Sequence, residues 1–182
     1  MLHIMRQARY GNFRAICLLT WATTLQACTP ALNWREVRAN GSGVAIHFPC
    51  KPSVYARALE LAGVMVKWNL LACSAEGQTW ALAFAELNDP ALLGPALHAL
   101  RVSAQRNLST DGTEAVPFDV TGATPNVHAG RVRLRGQLPD GRAAVEEMVV
   151  FARGTKVFQV STLGRELQPE AVETFFASLR AL

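Results

Sequence analysis

Two stretches of helical period stand among runs that alternate every second residue, and that order constrains the fold more than any other feature. Leu93, Leu97, Leu100 and Ala104 recur at helical spacing behind Asp89-Pro90. Asp is a good N-cap, and Pro is tolerated at the first helical position because its missing N–H has no partner there anyway. The spacing predicts a helix to about Asn107. A second apolar stripe, Val172, Phe175, Phe176 and Leu179, predicts another helix starting near Pro169. Ahead of the first helix, residues 44–48, 53–61, 64–74 and 78–87 read as strands, with a shorter one at 33–38. Between the helices, residues 116–120, 130–138, 142–153 and 155–163 read as four more. Ala62-Gly63, Glu76-Gly77, Pro139-Asp140-Gly141 and Gly154 supply tight turns. Hairpin-connected strands with intervening helices specify an α+β fold: a largely antiparallel β-sheet covered by two main helices.

The N-terminus carries a different message. Residues 1–27 hold Arg6, Arg9 and Arg14 but no acid, and the apolar run 15–22 follows the arginines. That run is short of the roughly 20 apolar residues a membrane span needs. A basic region, a short apolar region and a small residue before a cut site make a secretory signal. Leu25-Gln26-Ala27-Cys28 resembles the lipobox of bacterial lipoproteins. The resemblance implies cleavage before Cys28, a diacylglyceryl group on its thiol and acylation of the new amine. One acyl chain holds a bilayer only marginally, whereas two or more anchor it stably. Thr29 in place of Asp after that cysteine implies, for the same family, sorting to the outer membrane, facing the periplasm. An ordinary cleaved signal with Cys28 as a chance residue is the alternative. The expected organisation is a signal over 1–27, a lipidated tether over 28–42 and one α+β domain over 43–182.

Charge follows from that division. The whole chain has 18 basic and 14 acidic residues, and residues 1–27 take three basic residues with them. The remainder is 15 minus 14, or +1. The basic balance therefore belongs to the targeting segment, and nucleic-acid binding, which needs a clustered positive footprint, is not expected. Cysteine usage is also informative. With Cys17 in the signal and Cys28 lipidated, Cys50 and Cys73 remain. An even pair in an oxidising, exported setting reads as a disulfide, with two buried free thiols as the alternative.

Several short motifs carry a resemblance. Ala45-Ile46-His47-Phe48-Pro49-Cys50-Lys51-Pro52 resembles the V-x-F-P-x-x-P opening of small exported bacterial proteins with a PsbP-like fold. Residues 151–160 resemble their G-x-x-Y/F-x-V strand signature, and Phe175-Phe176-Ala177-Ser178-Leu179 resembles their closing helix. The resemblance implies an α/β/α sandwich around an antiparallel sheet. Proteins of that fold mostly bind partners, but a fold does not fix a function.

Catalytic motifs do not emerge. His47, His98 and His128 lack the spacing of a metal motif, and no G-x-S-x-G elbow occurs. Glu146 and Glu147 are adjacent on a strand, so they point to opposite faces and cannot share one site. Arg131, Arg133 and Arg135, interleaved with Val132 and Leu134, form a stripe on one strand face. The favoured reading is a solvated face whose arginine stems cover apolar surface, with Glu146 and Glu147 as cross-strand partners. The functional reading is an anion-binding stripe for lipid headgroups, polysaccharide or an acidic partner. The expectation is a non-enzymatic envelope lipoprotein, without cofactor or metal. It is held to the membrane by its acyl chains and binds an envelope protein partner. The alternative is a small-ligand or lipid-binding lipoprotein with a pocket between helix and sheet, lined by Trp68 or Trp80.

Overall fold

The computed structural model describes residues 32–111 and 114–182. The signal expected over 1–27 and the lipidation expected at Cys28 lie outside the described residues. Strands β1 (Arg35–Arg38), β2 (Val44–Phe48), β3 (Ser53–Leu61), β4 (Val64–Ala75) and β5 (Gln78–Glu86) precede helix α1 (Leu93–Asn107). Strands β6 (Gly130–Gln137), β7 (Ala143–Arg153) and β8 (Lys156–Gly164), helix α2 (Pro169–Ala177) and the short β9 (Arg180–Ala181) follow. Six strands form one sheet in the order β3-β4-β5-β8-β7-β6, every neighbouring pair antiparallel. A second sheet has the order β1-β2-β9. The α+β class read from periodicity is the fold observed.

Local chemistry explains the elements. Asp89 accepts a hydrogen bond from the Ala91 N–H at 2.8 Å, and Pro90 opens a 3₁₀ turn that runs into α1. Leu61 pairs with Val64 across Ala62-Gly63, whose φ values are +52° and +81°. Two left-handed residues match the twist of a two-residue hairpin, and glycine takes the second at no steric cost.

The large sheet is covered on both faces. On one side Leu93, Leu97, Leu100 and Ala104 of α1 pack on Trp68, Met148, Val150 and Val157. On the other, Phe175 and Phe176 of α2 join Ile46 and Phe48 of the small sheet over Trp80, Phe151 and Phe158. Phe175 meets Trp80 edge-on at 5.1 Å and Phe48 at 5.5 Å, while Phe151 stacks on Phe158 at 4.6 Å.

Two expectations are corrected, and one element went unread. Residues 116–120 form no strand; Val116 makes one bridge to Arg131, because Pro117 has no N–H to continue a ladder. Residues 32–38 belong to the folded unit rather than to a tether, since β1 pairs with β2 and Trp34 packs edge-on against Trp80 at 6.0 Å. The strand β9, which pairs with Val44 and Ala45, is two residues long and shows no period to read.

Candidate binding face

The cover on the α2 side is incomplete. β3 and β4 extend beyond the small sheet, and on that face Val54, Ala56 and Ala58 stand opposite Leu71, Asn69 and Lys67. Val54 is 70% exposed, and Met65 of β4, opposite Glu60 and farther along the same face, is 68% exposed, whereas Leu71 opposite Val54 and Phe84 opposite Asn69 are buried. The uncovered strip borders a groove of ≈ 530 Å³ between β1 and the large sheet. Val37, Val54, Leu71 and Phe84 give it an apolar lining, with Arg35 and Lys51 at its rim. It runs on into a hollow of ≈ 300 Å³ at Lys67 and Lys156, the two sharing Asn40, Asn69 and Phe84.

The electrostatics of this face are positive. Two of its acids are engaged: Glu36 accepts from Arg38 at 2.8 Å and from Arg180 at 2.5 Å, and Glu86 lies 3.5 Å from Lys156, whereas Glu60, opposite Met65, is exposed and makes no ion pair among the described residues. The Arg38 and Arg180 hydrogen bonds hold the Glu36 carboxyl down at about 2. Lys51 and Lys67, and Arg57 on the other face of β3, are exposed and make no ion pair among the described residues. Lys51 and Lys67 are thus open to anions, with Glu60 an open carboxylate on the same face as Lys67.

The disulfide read from the cysteine count is formed. Cys50, just past β2, is bonded to Cys73 of β4, with Cα atoms 6.0 Å apart. It ties the small sheet to the large one immediately ahead of β3, and so fixes one end of the groove.

The arginine stripe differs from an open anion site. Arg131 donates Nε to Glu147 at 2.6 Å and Nη1 to Glu173 at 3.1 Å, and Arg133 donates to the other Glu147 oxygen at 3.2 Å. The Arg131 guanidinium also lies over Phe176, 4.9 Å from its ring centre, and its side chain is only 15% exposed. Arg135 is exposed, with no ion pair among the described residues. Two of the three arginines therefore fasten β6 to β7, and Arg131 also ties it to α2.

Glu146 faces the α1 side, buried, with a hydrogen bond to Ser161; its burial pushes the carboxyl above its ordinary value of 4.5. Hydrogen bonding to Arg131 pulls Glu173 the other way. A raised folded value contributes stability below the ordinary range and loses it as the pH climbs through the raised value. The lowered Glu36 and Glu173 contribute above the ordinary range and lose stability as the pH falls. Glu146→Gln keeps the shape without the charge, so it is expected to raise the melting temperature at neutral pH. Below pH 4 it should change little. Thermal melts of both proteins from pH 3 to 8 check this; equal curves at neutral pH contradict it.

The remaining sequence candidates do not converge. His98 and His128 face each other at 5.6 Å between ring centres, and His47 lies 4.0 Å from Glu36. Among the described residues no group of three or more His, Cys, Asp or Glu is placed to hold a metal ion. Trp68 is buried among the side chains of α1 and Trp80 among those of α2 and the small sheet. The groove lies between two sheets, not between helix and sheet. Sequence reading passed over Val54, Met65, Lys51 and Lys67; the signal available was the Ala56–Ala58 alternation, too small to be a buried stripe.

No family model matches this chain, and no curated protein matches it. A structure from Bacteroides thetaiotaomicron VPI-5482, solved at 1.50 Å resolution, is similar with a TM-score of 0.47 at 10% identity. The match covers 81% of this chain and 48% of that one, so the chain spans about half the length of that neighbour.

Proposed function

We propose that this chain is a membrane-anchored envelope lipoprotein acting as a non-catalytic partner-binding module, and that the partner docks on the uncovered half of the β3–β4 face. The anchor is Cys28, supported by the lipobox resemblance of Leu25-Gln26-Ala27-Cys28, with Thr29 favouring the outer membrane. The PsbP-like motifs support the same reading, since proteins of that fold mostly bind partners. The observation that carries it is the exposed Val54 at an apolar-lined groove whose acid Glu36 is engaged by two arginines while Lys51 and Lys67 are open, with Met65 exposed farther along the same face.

Two measurements test the two halves of the reading. Cys28→Ser should abolish labelling by a clickable fatty acid and release the chain from membranes; continued labelling contradicts the anchor. Native electrophoresis of mildly solubilised envelopes should show the chain in a larger complex. Val54→Glu with Met65→Glu should collapse that complex while the melting temperature holds, because both side chains are already in solvent. A complex of unchanged size contradicts docking on this face.

A further inference from the structure

The two edges of the large sheet are treated differently. Along β6 the chain covers its own edge: Val116 and Arg131 exchange backbone hydrogen bonds at 2.8 and 2.9 Å, and Gln137 N–H donates to the Leu108 carbonyl at 2.7 Å. Gly136 permits this approach, since a Cβ there would sit 2.0 Å from that carbonyl oxygen. β3 is a nine-residue edge strand that pairs only with β4 and has no such cover among the described residues. Long open edges are normally blunted by proline, bulges or inward charges because they recruit other strands. Residues 53–61 contain no proline, and their pairing with β4 runs without a bulge.

Resting on the partner-binding reading, we propose that the free edge of β3 is itself the docking line: an extended, acidic segment of the partner protein adds to it as a seventh strand. Strand addition draws affinity from main-chain hydrogen bonds and specificity from alternate side chains. The main chain is accessible because Ala56 and Ala58 project little on the groove face. Charge selects the occupant. Lys51 and Arg57 are exposed along this edge and Lys67 one strand in, on β4 opposite Ala58, against the acid Glu60 on the same face as Lys67. Arg57 and Lys67 lie on opposite faces of the sheet, so carboxylates on either face of an added strand find a cation. A second copy of this chain is a poorer occupant, because a two-fold β3–β3 pairing sets the same cations against one another.

The test uses the full chain in detergent and two synthetic peptides as long as β3, one alternating Val with Glu and the other Val with Lys. Fluorescence anisotropy should show the acidic peptide binding at least roughly tenfold tighter than the basic one, with the margin shrinking in salt. Lys51→Glu, Arg57→Glu and Lys67→Glu together should reverse the preference. Hydrogen exchange on the unmodified chain, which depends on no variant folding, should slow at β3 amides when the acidic peptide binds and stay unchanged along β6. Equal or absent binding of the two peptides, or protection away from β3, overturns the proposal. If peptide binding fails while the envelope complex still collapses with Val54→Glu and Met65→Glu, docking on the face stands and strand addition falls. If the complex also survives those substitutions, the reading of the face falls with it.

Discussion

Phe175→Ala is expected to lower stability by roughly 3–5 kcal/mol, the usual cost of deleting a fully buried phenylalanine. For a domain of this size that is on the order of 10 °C in melting temperature. The side chain is wholly buried and bridges two other elements, touching Phe48 in the small sheet and Trp80 in the large sheet, with Phe176 beside it on its own helix. No one of these can move in without losing another contact, so the cavity stays open. Phe176→Ala should cost a similar amount and in addition withdraw the ring under Arg131, loosening β6. Calorimetry decides: a drop below about 1 kcal/mol would mean that α2 is not the lid this packing makes it.

Removing the disulfide is the second large effect. Cys50→Ala with Cys73→Ala opens a loop with a sequence separation of 23, and loop-closure entropy assigns it about 3 kcal/mol. Replacing both cysteines avoids a stray thiol. Beyond the global loss, the substitution should act locally, because Cys50 enters β3 through Lys51 and Pro52 at the mouth of the groove. Faster hydrogen exchange along β3 than along β7 is expected in the double variant. A melting temperature unchanged on reduction of the wild-type chain contradicts the assignment of stability to this bond.

The fold was legible where side-chain period reports burial. Leu93, Leu97 and Leu100 marked α1, and Val172, Phe175 and Phe176 marked α2, because each helix buries one stripe on one face of the sheet. The hairpins were legible from Ala62-Gly63 and Glu76-Gly77, whose backbone requires positive φ. β9 was hidden because two residues have no period, and 116–120 misled because valine and phenylalanine outweigh one proline in any pattern. The strand order was hidden too. β5 pairs with β8 across α1, β6 and β7, and no local residue records that choice. The disulfide followed from counting cysteines, but its place at the groove did not. Of the candidate face, the cations were readable one by one. That Glu36 is consumed by Arg38 and Arg180, 144 residues away in the latter case, leaving Lys51 and Lys67 open, is a tertiary fact.

The partner's contact point can be located directly in living cells. A photoreactive amino acid at Val54, on the open face, and another at Val127, which is 92% exposed and remote from β3 in the chain, can be activated in living cells. The account predicts a discrete protein adduct from Val54, lost when Lys51, Arg57 and Lys67 are reversed to Glu, and no such adduct from Val127. Adducts from Val127 alone, or from Val54 to lipid only, would contradict it.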